Sequence, residues 1–219
     1  MMTRTRVRML AVAIAMVVSA AACGGESDPP TAAEDKATAE RIVLTSSDMF
    51  GYTAEPTDNA EGTSSLDDCI KDNPLMKPGD NPRGVEGTDF GKDDGNVHVG
   101  SGAALAEKEA DAEKALSAIE TTLAGQCVKD GLKAAIEDDA PRGLRVGDVS
   151  SSALPSLDVT DDSVVTRLTV PMTALGDDVS LYLDLTYLRE GRTLGGLVTL
   201  QTGSPFPDAE RIRLSLIHI

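Results

Sequence analysis

Between residues 163 and 202, three successive stretches alternate apolar and polar side chains. No other feature limits the fold so strongly. In the first stretch Val164, Leu168, Val170 and Met172 share one parity, with Thr166 among them. In the second, Val179, Leu181, Leu183, Leu185 and Tyr187 alternate with Ser180, Tyr182, Asp184 and Thr186. In the third, Leu194, Val198 and Leu200 repeat the pattern. Side chains two apart on a strand share a face, so this period predicts antiparallel strands buried on one side. Glu190-Gly191 predicts a two-residue turn between the last two strands.

The flanking residues extend the pattern. Leu144 and Val146 begin a further strand. Pro205 and Pro207 stop the sheet, and Asp208 starts a helix. Upstream, Asp93-Asp94-Gly95-Asn96 predicts a hairpin turn between Val85–Phe90 and Val97–Leu105. Ala106 to Ala124 reads as a helix, with Leu116, Ile119, Leu123 and Cys127 on one stripe. Gly125 interrupts it, and Val128 to Ile136 restarts it. A short helix is expected over Ala37 to Leu44, followed by a turn capped by Ser47 or Asp48. From Thr53 to Asn96 the chain is rich in Asp, Gly, Pro and Asn, with a helical turn or two around Cys69.

The fold class that follows is α+β. An antiparallel sheet, a meander in the C-terminal half, is flanked by helices and carries one disulfide. The sheet's apolar face, from strands 164–172, 179–187 and 194–200, is expected to pack under helix 106–124. A cleft between helix and sheet is then the default small-molecule site.

The N-terminus carries an address. Arg4, Arg6 and Arg8 precede the apolar run Met9 to Ala22, which ends at Cys23 and Gly24-Gly25. A basic start, a short apolar run and small residues at the cut site mark an export signal. The run is shorter than the roughly 20 residues a membrane-spanning helix needs. Cys23 directly after Ala20-Ala21-Ala22 makes this resemble a bacterial lipoprotein signal, although Ala20 stands where Leu is usual. In such proteins the cut falls before the cysteine, whose sulfur carries the lipid. Residues 1–22 are therefore read as the signal peptide and 23–36, polar with Gly and Pro-Pro, as a flexible tether. Residues 37–213 form one domain. The expected location is the outer face of the cell membrane, held there by lipid on Cys23.

Cys69 and Cys127 remain, an even pair in an exported chain, and oxidising compartments favour pairing them. The bridge closes a loop worth about 4 kcal/mol in the chain-entropy model. The alternatives are a free nucleophile or a metal thiolate, but the chain has no CxxC and only two histidines.

Charge and aromatic content narrow the function classes. The chain carries a net charge of −16, and residues 1–22 contribute three arginines and no carboxylate to that sum. So acidic a surface repels phosphate backbones, which argues against nucleic-acid binding. With three Phe, three Tyr and no Trp, stacking platforms for sugars or bases are hard to build.

No catalytic or cofactor pattern stands out. His98 is the one histidine of the domain body, on the opposite strand face from Val97 and Val99, and reads as a surface residue. There is no G-x-S-x-G elbow, and Gly100-Ser101-Gly102 is a small-residue stretch without the GxxxxGK pattern. Asp89, Asp93 and Asp94 crowd a turn but miss the calcium-loop spacing. Asp138-Asp139 and Asp161-Asp162 also read as solvated loops. No catalytic residue, cofactor or metal ligand is assigned.

The ending Leu-Ser-Leu-Ile-His-Ile resembles adapter read-through, and residues 214–219 are expected to be a non-native tail on a helix cut short.

Val179-Ser180-Leu181-Tyr182-Leu183-Asp184-Leu185-Thr186-Tyr187-Leu188-Arg189-Glu190-Gly191-Arg192, then Gly203-Ser204-Pro205-Phe206-Pro207, resembles exported actinobacterial sensor-like domains. These occur as small lipoproteins and as extracellular domains of mycobacterial serine/threonine kinases. Val43-Leu44-Thr45-Ser46-Ser47-Asp48-Met49 fits their opening. The resemblance covers roughly residues 38–212 and implies a PsbP-like sheet flanked by helices, with a disulfide. It implies no reaction, and without a kinase domain direct kinase signalling is not implied. The expected function is a non-enzymatic, lipid-anchored envelope protein that binds a small molecule or a protein. An envelope-polymer hydrolase using carboxylates and a structural or assembly factor are the alternatives.

Overall fold

The computed structural model describes residues 29–55, 68–69, 73, 77, 79–92, 96–141, 143–157, 160–174 and 176–215. Cys23, the signal, turn residues 93–95 and residues 216–219 lie outside them.

In chain order the elements are α1 (Ala32–Ala39), β1 (Thr53–Ala54), β2 (Gly84–Glu86), β3 (Phe90–Lys92), β4 (Val97–Leu105), α2 (Glu109–Ala124) and α3 (Gln126–Asp139). Then come β5 (Leu144–Val146), β6 (Ser150–Ala153), β7 (Asp162–Ala174), β8 (Asp177–Glu190), β9 (Thr193–Thr202) and α4 (Asp208–Ser215). The strands form one antiparallel sheet in the order β1-β3-β4-β9-β8-β7-β5, with β2 also on β4 and β6 also on β7. The α+β class and the C-terminal meander are as the alternation predicts. Gly176 (φ 100°) and Gly191 (φ 54°) make the turns on either side of β8, where the left-handed region favours glycine.

The helical pair also matches its pattern. Gly125 adopts an extended conformation (φ −70°, ψ 157°), ending α2 and opening α3. Ile119 and Leu123 of α2, with Val128 and Leu132 of α3, pack on Leu168, Val170, Leu181 and Leu185. Leu116 packs on Leu194, beside Tyr187. The Cys69–Cys127 disulfide ties the start of α3 to the turn-rich segment, with Cα atoms 5.8 Å apart. Asn73 Nδ2 donates to the Ala115 carbonyl at 3.1 Å, pinning the same segment to α2.

Three expectations need correction. First, the N-terminal helix spans Ala32–Ala39 rather than 37–44, so the expected tether (23–36) ends inside it. The reason is a capping box: Thr31 and Glu34 satisfy each other's backbone N–H groups at the helix start. Second, the strands are not buried on one face only. Asp184, Thr186 and Leu188, on the parity opposite to Leu183 and Leu185, are buried as well. That face is covered by the segment after α1 and by α4, through Leu44, Met49, Phe206 and Leu214 packed on Phe90, Val97, Val99 and Leu197, and by α1 through Ala39 beside Ala103 and Leu105. Third, Leu214 and Ser215, assigned to a tail, are buried in α4.

Asp184 and Thr186 alternate with leucines, so they read as solvent-facing. Asp184 is instead satisfied underneath α4. Arg167 Nε and Nη2 donate to it at 2.6 and 2.7 Å, and Arg211 Nη1 donates at 2.9 Å. A buried carboxylate is tolerated only with such partners.

Candidate functional site

The two helices α2 and α3 cover the β7–β8 half of their sheet face, and α2 ends its contact at Leu194 and Tyr187. The β4–β9 half of that face carries a cavity of about 460 Å³. The cleft expected between helix and sheet is therefore displaced to the side of the helix. Between helices and strands, Ile119, Leu123, Val128 and Leu132 pack directly on Leu168, Val170, Leu181 and Leu185.

Small residues create the floor. Across the β4–β9 ladder, Gly100 faces Val198, Gly102 faces Gly196 and Ala104 faces Leu194. Glycine within a strand marks a place where something approaches the backbone closely. One such occupant is internal: Tyr187 stands opposite Gly196, and a Cβ on Gly196 would lie 3.3 Å from its ring. No hydrogen bond holds the Tyr187 hydroxyl among the described residues, and burial pushes its pKa up to about 12. Leu194, Val198 and Leu200 complete the apolar wall.

The other end is acidic, and a break in the edge strand places it. β2 pairs Glu86 with Gly102, whereas β3 pairs Phe90 with Val99. The stretch between Glu86 and Phe90 thus holds one residue more than the facing stretch of β4. This β-bulge turns Asp89 onto the cleft face, as bulges commonly re-aim a side chain. Its carboxylate rests over Gly100, where a Cβ would come within 2.8 Å of Oδ1. Glu55, just past β1, donates its backbone N–H to the Asp89 carbonyl at 2.8 Å. Its carboxylate lies against Gly91 and reaches His98, with Oε2 to Nδ1 at 2.9 Å. If the carboxylate accepts, the neutral imidazole carries its proton on Nδ1.

Glu55 and Asp89 therefore stand side by side on one face. Like charges opposed across strands are destabilising. Partial burial, and then the Glu55 carboxylate, raise the Asp89 pKa, while His98 pulls it down. Glu86 adds a third carboxylate, and no lysine or arginine lines the cleft among the described residues.

The expected solvated turn of Asp89, Asp93 and Asp94 is only partly described: Asp89 belongs to the cleft, and the other two lie outside the described residues. His98 faces away from Val97 and Val99 as its parity predicts and is partly exposed, but it is engaged by Glu55. Sequence reasoning missed Glu55 and Glu86 altogether. The legible signal was the coincidence of glycines in two strands, Gly100 and Gly102 with Gly195 and Gly196. Among the described residues no three His, Cys, Asp or Glu side chains converge as a metal site, and no helix is long and apolar enough to cross a membrane.

Neither the models of known protein families nor the curated proteins yield a match to this chain.

Proposed function

We propose that this chain is a lipid-anchored protein of the cell envelope, attached through Cys23, whose domain holds a small ligand in the β4–β9 cleft without transforming it. The carrying observation is the cleft itself: an open apolar floor built by glycine and alanine beside a helix pair packed on β7 and β8. Cavities of several hundred Å³ with an apolar lining and a few convergent polar groups are the usual form of small-molecule sites. The signal-like residues 1–23 and the sensor-like resemblance support the address and the class. Native mass spectrometry of the protein after exposure to an actinobacterial envelope extract tests this reading. A retained small-molecule mass supports it; a bare mass at every extract concentration removes its support.

A hydrolase of envelope polymers is the second reading. It is favoured by Asp89 beside Glu55, since two carboxyl groups set side by side in a cleft suit acid–base work. Release of soluble fragments from cell-wall material, lost in Asp89→Asn, decides for it; inert material decides against it.

A further inference from the structure

We propose that the ligand of this cleft is an apolar molecule bearing an ammonium group, with its body on the glycine floor and its cation between Glu55 and Asp89. This rests on the ligand-binding reading above and adds the chemical class. Two independent features of the cleft carry it.

The first is shape. Gly100, Gly102, Ala104 and Gly196 remove side chains along two paired strands, so a compact apolar body can lie directly on the backbone. Leu194, Val198 and Leu200 give it apolar neighbours, and the unbonded Tyr187 hydroxyl gives one polar contact.

The second is charge. Three carboxylates, from Glu55, Glu86 and Asp89, and one histidine line the cleft, with no lysine or arginine among the described residues. Elsewhere in this protein acids are neutralised: Asp35 by Arg83 and Arg192, Asp184 by Arg167 and Arg211. Among the described residues no guanidinium meets Asp89. Asp89 lies beside Glu55 in the cleft, and partial burial, then the Glu55 charge, raise its pKa. A bound ammonium supplies the missing countercharge, and its N–H donors suit carboxylates left as acceptors. An anion would meet only like charge there.

Two probes with the same body and opposite charge separate the cases: 1-adamantylammonium and adamantane-1-carboxylate. Each is titrated calorimetrically into the full-length protein against a protein-free blank. The ammonium is expected to bind at least about tenfold more tightly than the carboxylate, a difference of about 1.4 kcal/mol. The double variant Glu55→Gln, Asp89→Asn is expected to erase this preference while its circular dichroism stays that of the parent. If the double variant does not fold, the single variant Glu86→Gln is expected to reduce the preference in part. Equal affinities, or a tighter carboxylate, overturn the ammonium assignment and leave the ligand-binding reading standing. Binding of neither probe overturns the assignment, and an empty extract experiment as well would remove the broader reading.

Discussion

The guanidinium of Arg167 grips the carboxylate of Asp184 through two parallel bonds, 2.6 and 2.7 Å long, across the β7–β8 ladder. Arg211 of α4 closes on the same carboxylate at 2.9 Å. One buried acid thus joins the central strands to the C-terminal helix. Asp184→Asn leaves two guanidinium groups short of their countercharge. The expected cost is about 3–5 kcal/mol, because removing one member of a buried pair strands the other. Urea denaturation of the variant and the parent measures it, and a loss below about 1 kcal/mol contradicts this role.

Cys69 and Cys127 are 58 positions apart. Constraining the unfolded chain over that span is worth about 4 kcal/mol. Reduction of the native protein is expected to raise its intact mass by about 2 Da and to lower its unfolding midpoint markedly. Free-thiol labelling of both cysteines before reduction would refute the bridge.

Asp35 gives the fold an acid-sensitive clasp. Burial pushes its pKa up, but hydrogen bonds from Arg192 and Arg83 outweigh that and hold it below the ordinary aspartate value. A carboxyl with a depressed folded-state pKa contributes stability above its unfolded pKa of about 3.9, lost as pH falls through the folded value. Asp35→Asn is therefore expected to destabilise at pH 7 and to differ little from the parent at the acid end. Thermal melts across pH 2–7 test the convergence.

Asp89 has the opposite sign. Its folded pKa is raised, so the native state binds the proton more tightly and stability falls as pH rises through its titration. Asp89→Asn is expected to stabilise the unliganded protein at neutral pH, by no more than about 1 kcal/mol because much of the side chain faces solvent. The gain should vanish below the Asp89 titration. A destabilised variant at pH 7 would show that Asp89 is structurally needed.

Gly196→Val tests the floor. A Cβ there would lie 3.3 Å from the Tyr187 ring, so the ring must shift by tenths of an ångström. A stability loss near 1 kcal/mol is expected, as for modest overpacking. Ligand retention in native mass spectrometry should be lost in this folded variant.

Much of the scaffold was legible because burial period and secondary structure coincide. The parity of Val164, Leu168 and Val170 names their shared face, and Leu116, Ile119 and Leu123 name the helix stripe that meets it. The N-terminal helix begins before the apolar residues Ile42, Val43 and Leu44, because the Thr31–Glu34 capping box sets its start. The second buried face escaped notice because Asp184 and Thr186 are polar. The burial of Asp184 is satisfied by Arg211, 27 residues away, which no local period encodes.

The site divides in the same way. By itself the sequence determined the strands, the helix pair, the two cysteines available for bridging and the face on which His98 lies, since each depends on residues a few positions apart. Only the tertiary structure decided that β4 and β9 would align their glycines, that a bulge before Phe90 would aim Asp89 over Gly100, and that Glu55 would arrive beside it. The physical reason is register. A cross-strand neighbour is set by pairing between distant segments, and a slip of one residue sends a side chain to the other face.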